Sequence, residues 1–382
     1  MKIAFLTPEY PHIKTGSSGG IGTSIKNLAM GLLAAGCSVR VLVYAQKEEG
    51  IFFDNGICIQ QIKNIKLKGL SWYFTRKKLE HIINTLYLDK EIDVVEAPDW
   101  TGITSFISPK KCPVVIRLNG SDTYFCHLDQ RPVKWVNLFH EKRALKKADG
   151  LLSVSQFTAD TTNEVFGLKK QFTIIPNSID LDAFSSDNKN KENRNTILYF
   201  GSLIRKKGLL ELPFIFNEVH AKNPNAKLIL VGKDVPDIIS GNSSTWGMMQ
   251  ELFTPQALLQ VTYFGAVPYE HIKEHISRAT VCVFPTFAEA LPVSWIEAMA
   301  LQKAIVASNI GWANDVIDEG INGFLVNPKN HLEYATKISM LLEDSELRKR
   351  FGFAAKKKVS EKFSKEKVAE QSLVFYKKNY NK

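Results

Sequence analysis

Short apolar runs alternate with segments of helical period along most of this chain. Lys2–Thr7, Ser38–Ala45, Asp93–Ala97, Val114–Leu118, Leu151–Ser155 and Phe172–Ile175 are brief, aliphatic and bounded by polar residues, which predicts strands. Between the first two, Ile25, Leu28, Ala29, Leu32 and Leu33 recur at helical spacing, with Thr23 or Ser24 to cap the helix and Gly36 to end it. Alternation of this kind predicts a parallel sheet wrapped by helices. Residues 185–195 then contain no apolar side chain, which predicts an interdomain linker. The pattern restarts with strands at Thr196–Phe200, Lys227–Val231, Val261–Phe264, Val281–Phe284, Ala304–Ala307 and Gly323–Val326, and helices that include Leu209–Lys222 and Tyr269–Ala279. The expected class is α/β: two Rossmann-like, doubly wound domains, 1–184 and 196–360, facing a central cleft. Residues 361–382 follow, with a charged amphipathic helix over Ser364–Tyr380.

Composition narrows the class of function. A chain of 382 residues is long enough for two cores. No stretch reaches the ~18 uninterrupted apolar residues of a membrane span, and the N-terminal apolar run is too short for a signal peptide. A cytoplasmic protein is therefore expected. The five cysteines are scattered and never form a C-x-x-C pair, so buried thiols are expected rather than disulfides or a zinc site. The net charge of +10 is spread evenly: residues 1–190 carry 24 basic and 19 acidic residues, the remainder 25 and 20. That speaks against a nucleic-acid partner, which would concentrate the basic residues on one element. One local cluster differs. Lys63, Lys66 and Lys68, then Trp72-Tyr73-Phe74, then Arg76-Lys77-Lys78, suit either peripheral contact with an anionic bilayer or a solvated loop and helix face.

The chemistry concentrates in Phe284-Pro285-Thr286-Phe287-Ala288-Glu289-Ala290-Leu291-Pro292-Val293-Ser294-Trp295-Ile296-Glu297-Ala298-Met299-Ala300. A buried strand leads into a loop and then a helix, with Ser294 as the expected cap. A helix start offers free N–H groups and positive dipole to an anion such as a diphosphate. Glu289 and Glu297, on either side, can accept hydrogen bonds from a sugar and a ribose. Gly201-Ser202-Leu203-Ile204-Arg205-Lys206-Lys207-Gly208 follows another strand, and its glycine turn and basic cluster suit phosphate. Gly16-Ser17-Ser18-Gly19-Gly20-Ile21-Gly22 follows the first strand. With Thr15 it matches the dinucleotide loop of short-chain dehydrogenases. The intervening Pro8–Lys14, the absence of a well-placed Tyr-x-x-x-Lys pair and the lack of an acid after the second strand argue against that chemistry.

Together these segments resemble retaining glycosyltransferases of the GT-B fold, family 4 (glycosyl transferases group 1). The resemblance implies that Glu289 holds the transferred sugar and Glu297 the ribose. Lys207 grips the diphosphate, with Arg205 standing in for the arginine usual where Ser202 lies. Gly20 allows close approach to the donor, the loop at Val267 holds the base, and Leu291, Pro292, Val293 and Ser294 complete the donor site. Asn119 stands where many relatives have a catalytic histidine. Asp99, Trp100, Asp122 and His127 are acceptor-side candidates, although Asp99 and Trp100 equally suit capping and packing, and His127 suits an incidental loop position. Asp180-Leu181-Asp182 mimics the metal site of a different glycosyltransferase fold, but lies in the turn that closes the first domain in the resembled family; no metal and no cofactor are expected. The terminal helix would cross back to the first domain. The implied activity is metal-independent transfer of a hexose, with retention, from a nucleotide diphosphate sugar to a glycan or lipid-linked acceptor in cell-surface polysaccharide or glycolipid assembly. The setting would be the cytoplasm or the inner face of the cytoplasmic membrane. A nucleotide-sugar epimerase, a sugar phosphorylase or a non-catalytic glycan-binding scaffold are the alternatives.

Overall fold

The computed structural model describes residues 1–16, 18–184 and 192–380. Ser17 and residues 185–191 of the expected linker lie outside the described residues. The chain forms two compact units: Met1–Asp180 with the chain from Lys362 onward, and Leu181–Glu361.

The first unit is built on strands β1 (Lys2–Thr7), β2 (Ser38–Gln46), β3 (Gly50–Asp54), β4 (Ile57–Lys63), β5 (Val94–Pro98), β6 (Val114–Leu118), β7 (Gly150–Ser153) and β8 (Thr173–Ile174). Their order is β3-β4-β2-β1-β5-β6-β7-β8. Its central strands β1, β5 and β6 are buried along almost their whole length, as parallel strands covered on both faces must be. The sheet is not wholly parallel, because β3 and β4 form an antiparallel hairpin at one edge. Asn55 (φ 48°) and Gly56 (φ 84°) turn it in the left-handed region that two-residue hairpin turns require.

The helix Gly20–Ala34 buries Ile25, Leu28, Ala29 and Leu32 and is followed by Gly36 at φ 77°. Neither Thr23 nor Ser24 caps it, since the helix begins earlier and places both inside. The Glu9 carboxylate accepts from the Gly22 N–H at 2.9 Å instead, so an acid thirteen positions upstream does the work of a cap. The helix Lys365–Tyr380 packs on this one, and a Cβ added to Gly31 would stand 2.3 Å from the Lys365 carbonyl oxygen. It is anchored in the core as well. Tyr376 Oη donates to Glu96 Oε2 at 2.6 Å, and Glu96 pairs with Arg117 at 2.7 Å, all three buried. Asp180 accepts from Lys365 Nζ at 2.6 Å, which gives the first aspartate of Asp180-Leu181-Asp182 a structural partner.

The second unit has strands β9 (Thr196–Phe200), β10 (Lys227–Val231), β11 (Val261–Tyr263), β12 (Val281–Phe284), β13 (Ala304–Ser308) and β14 (Phe324–Val326), all parallel, in the order β11-β10-β9-β12-β13-β14. The strand order reverses between β9 and β12. The carboxyl ends of β9 and β12 therefore mark the topological switch point, where an open parallel sheet usually takes its ligand in a crevice. Trp295, Trp312, Tyr199 and Tyr334 are fully buried beneath it. Tyr334 Oη donates to the Val306 carbonyl at 2.7 Å and accepts from Phe284 N at 3.2 Å, tying the ends of β12 and β13 together. The helix expected over 209–222 starts at Leu212, because Gly208 turns left-handed (φ 73°) just before it.

Candidate active site

In the second unit the loop after β9 and the loop after β12 are fastened to each other through their backbones. The Lys206 carbonyl accepts from Phe287 N at 2.9 Å and from Ala288 N at 3.2 Å. Gly208 lies against Pro285 so closely that a Cβ there would stand 1.7 Å from the Pro285 oxygen. This fastening sets the side chains. Lys207 Nζ lies 3.2 Å from Glu289 Oε1, with both side chains about one-fifth exposed. Burial works against the ammonium charge, but Glu289 outweighs it and Lys207 is held firmly protonated. Gly201, at φ 133°, carries the chain past Tyr199 Oη and Lys207 Nζ, and Tyr199 Oη donates to the Ser202 carbonyl at 3.0 Å.

Glu297 lies deeper, in the helix Val293–Ala300. It is 5% exposed, and burial pushes its carboxyl up to about 7, opposed by the Tyr269 hydroxyl and by Lys207. Tyr269 Oη donates to Glu297 Oε1 at 2.5 Å. Tyr269 opens the helix that follows the Val267 loop, so that loop is coupled directly to Glu297. Ser294 is not the cap. The helix starts after Pro292, whose fixed φ of −74° lets Val293 turn helical one residue early, and Ser294 falls within the first turn, half-buried beside Val293. Leu291 and Pro292 are buried at the loop's end.

Arg205 is committed elsewhere. Its guanidinium grips the Asp237 carboxylate through two hydrogen bonds, at 2.8 and 2.7 Å, and Asp237 is 2% exposed. The pair holds Asp237 well below the usual carboxylate range, through the Arg205 hydrogen bonds first and those from Ser240 besides. Arg205 therefore serves this carboxylate rather than standing open where Ser202 replaces the usual arginine. A bidentate pair of this kind is a poor candidate for release to a ligand.

In the first unit the carboxyl ends of β5 and β6 bring Asp99 and Asn119 together. Asn119 N donates to Asp99 Oδ1 at 2.9 Å, and its side-chain amide donates to the Arg117 carbonyl at 3.3 Å. Asp99 is 2% exposed, its Oδ2 has no hydrogen-bond partner among the described residues, and burial pushes its carboxyl up to about 7. Trp100 begins a short 3-10 segment in which Thr101 and Gly102 have positive φ, since the His140 backbone crosses within 2.3 Å of where a Gly102 Cβ would stand. Asp122 starts the helix Asp122–Leu128 and accepts from Asn137 Nδ2 at 2.9 Å and Arg131 at 3.4 Å. His127 lies on the last turn of that helix rather than in a loop, exposed. Glu141, unmarked by any motif, organises this end: it accepts from the backbone N–H groups of Thr101, Asp122 and Thr123. Around Gly20 a Cβ would meet nothing within 4 Å among the described residues, whereas the Gly22 position is closed by Ser18, Glu9 and Tyr10.

Known proteins match both halves of the chain. The family model for glycosyl transferases group 1 matches residues 181–358, and that for Glycosyltransferase Family 4 matches residues 18–183. An uncharacterized glycosyltransferase of Methanocaldococcus jannaschii is 25% identical over 99% of this chain and 98% of its own. The capsular polysaccharide biosynthesis glycosyltransferase CapM of Staphylococcus aureus is 29% identical over 52% of each chain. Among solved structures, sucrose-phosphate synthase from Thermosynechococcus elongatus superposes with a TM-score of 0.80 over the whole of both chains at 19% identity. The Anabaena protein HepE, solved with UDP and glucose, superposes at 0.74 over 98% of this chain and 99% of its own, also at 19% identity.

Proposed function

This chain belongs to the group 1, family 4 glycosyltransferases of the GT-B fold, and on that premise we propose that it transfers a hexose, with retention, from a nucleotide diphosphate sugar to a glycan or lipid-linked acceptor. The observation that carries this is the Lys207–Glu289 pair, set beside the buried Glu297 by two loops locked backbone to backbone. An ammonium held charged by one carboxylate keeps further N–H donors for a diphosphate. Glu289 can accept from sugar hydroxyls, and Glu297 from a ribose displacing Tyr269 or sharing with it. The base falls to the Val267 loop. That HepE binds UDP and glucose, and that CapM is a capsular polysaccharide enzyme, supports this choice of donor class and a place in polysaccharide or glycolipid assembly.

In the transfer, the acceptor oxygen bonds to the sugar's anomeric carbon on the face that the diphosphate leaves, and the departing phosphate oxygen takes the acceptor proton. Lys207 and the N–H groups at the start of the Val293–Ala300 helix meet the charge that builds on the leaving group. No step calls for a metal ion. Acceptor recognition falls to the first unit, at Asp99, Trp100, Asn119 and Asp122, with Gly20 leaving room for close approach.

The test is a thermal-shift panel of nucleotide diphosphate sugars followed by turnover on the one that binds. Lys207→Ala should weaken the nucleoside diphosphate far more than the nucleoside. Glu289→Gln should lose turnover by roughly tenfold or more, the worth of one charge-assisted hydrogen bond. Equal loss for nucleoside and diphosphate in Lys207→Ala would refute the phosphate role. Tight donor binding with no transfer to any acceptor would favour a binding scaffold, and turnover of donor alone an epimerase.

A further inference from the structure

The first unit carries a basic, aromatic surface that the transfer chemistry does not use. It is assembled from two elements far apart in sequence. The segment from Lys63 to Lys78 has six basic residues and no acidic one, and the helix Ser71–Leu88 starts within it. The segment from Arg131 to Lys147 has six more basic residues, and its one acid, Glu141, is buried. Here the helix Trp135–Lys147 begins.

Ring contacts join the two helix starts into one surface. Trp72 lies 5.1 Å from His140, and His140 lies 5.3 Å from Phe139. Phe106 fills the space between them, 5.4 Å from Trp72. Trp135 stands one helical turn before Phe139, on the same face. The outer members of the group are unusually open: Trp135 is 76% exposed, Phe139 48% and Trp72 42%. Large aromatics left in water carry a hydrophobic cost that a folded protein normally removes. Arg76 and Arg143 lie over the rings of Trp72 and Phe106 and bond the Ile103 and Ser105 carbonyls, which fixes the inner rings and leaves the outer ones to project.

We propose that this face docks the protein onto an anionic lipid bilayer, with Trp72, Trp135 and Phe139 entering the interface and lysines 66, 68 and 134 meeting lipid phosphates. Two observations favour a bilayer over a protein partner. Both segments are basic but for the buried Glu141; Lys77, Lys78 and Arg131 are paired with Glu80, Glu49 and the Asp122 and Asp129 carboxylates, while Lys66, Lys68 and Lys134 stand exposed and offer the positive charge that an anionic surface calls for. The exposed aromatics are two tryptophans and a phenylalanine with the exposed Lys66, Lys68 and Lys134 nearby in the chain, the composition of an interfacial anchor rather than of a dry protein interface. The face also adjoins the acceptor-side residues: Asn137, on the first turn of the Trp135–Lys147 helix, donates to Asp122. A lipid-linked acceptor would then meet those residues at the membrane surface. That last point rests on the proposed function, whereas the docking itself does not.

The experiment is co-sedimentation of the full chain with phosphatidylcholine vesicles containing 30% phosphatidylglycerol, against pure phosphatidylcholine, at about 50 and 500 mM salt. Binding is expected to the anionic vesicles at low salt, and to fall on the order of tenfold at high salt. Trp135→Ser/Phe139→Ser, both on exposed side chains, should lose most binding at either salt. Lys66→Gln/Lys68→Gln/Lys134→Gln should lose binding chiefly at low salt. Donor binding followed by thermal shift should be unchanged in all of them, which separates failure of docking from failure of the donor site. Absence of binding to anionic vesicles would overturn the proposal, as would equal binding by wild type and both variants. Concentration-dependent self-association, abolished by the Trp135/Phe139 change and without vesicle binding, would instead assign the face to a second copy of the chain.

Discussion

Replacing Gly208 by alanine attacks the contact that locks the two active-site loops together. A Cβ there would stand 1.7 Å from the Pro285 carbonyl oxygen, a backbone atom that cannot swing aside, while real Cβ contacts stay above 3.0 Å. The loops must therefore part by at least 1.3 Å (3.0 − 1.7). The Lys206 carbonyl bonds to Phe287 N and Ala288 N, at 2.9 and 3.2 Å, would then pass beyond hydrogen-bonding reach. Losing two such bonds costs about 1–3 kcal/mol in all. Alanine at φ +73° adds about 1–2 kcal/mol. A total of about 2–5 kcal/mol in a unit of this size lowers Tm by roughly 5–15 °C. Gly320→Ala is the control, since Gly320 has φ +71° with nothing within 4 Å of a Cβ and incurs the conformational cost alone. Thermal unfolding followed by circular dichroism separates the two. Donor affinity, measured at a temperature where both variants are folded, should fall only in Gly208→Ala, because Lys207 and Glu289 ride on the loops that have parted. Equal Tm losses in both variants, with donor affinity intact in Gly208→Ala, would refute the reasoning.

Three further outcomes follow from the geometry. Glu297 has its carboxyl raised by burial from 4.5 to about 7, so the folded protein holds that proton more tightly; the stability this adds is full below pH 4.5 and is lost as pH rises through 7. Glu297→Gln should flatten urea stability between pH 5 and 8 by up to about 3 kcal/mol, while donor affinity in the wild type should rise over the same range if the ionised form accepts from ribose. Tyr376→Phe removes a donor from buried Glu96 and should cost about 1–3 kcal/mol, whereas Arg117→Met leaves that carboxylate buried without its cation and should cost about 3–5 kcal/mol; chemical denaturation distinguishes them. Transfer should survive excess EDTA, and its loss with recovery on adding Mn²⁺ would return Asp180-Leu181-Asp182 to consideration as a metal site.

What could be read in the chain was local, and what could not was a partner at long range. Parallel strands buried on both faces are near-continuous apolar runs, so most strand positions lay open in the pattern to within a residue or two. The β3–β4 hairpin is hard to read because the exposed edge strand β3 offers only the short apolar run Ile51-Phe52-Phe53; its Asp54-Asn55-Gly56 turn is the stronger signal. Glu9 at the start of the Gly20–Ala34 helix and Tyr269 on Glu297 replace caps and partners that local spacing could only assign to neighbours. Arg205 makes the same point with a consequence for the chemistry. The eight residues Gly201–Gly208 supply three cations, and their type alone suggests that one of them fills the role left by Ser202. Asp237, thirty-two positions on and buried, requires a cation of its own, because an unpaired carboxylate there would cost several kcal/mol. Arg205 meets that need through Nε and Nη2. Freeing it for a diphosphate would leave Asp237 uncompensated, so in the proposed transfer the favourable charge for a leaving group falls to Lys207 and the start of the Val293–Ala300 helix, Lys207 being paired with a partly exposed carboxylate rather than a buried one.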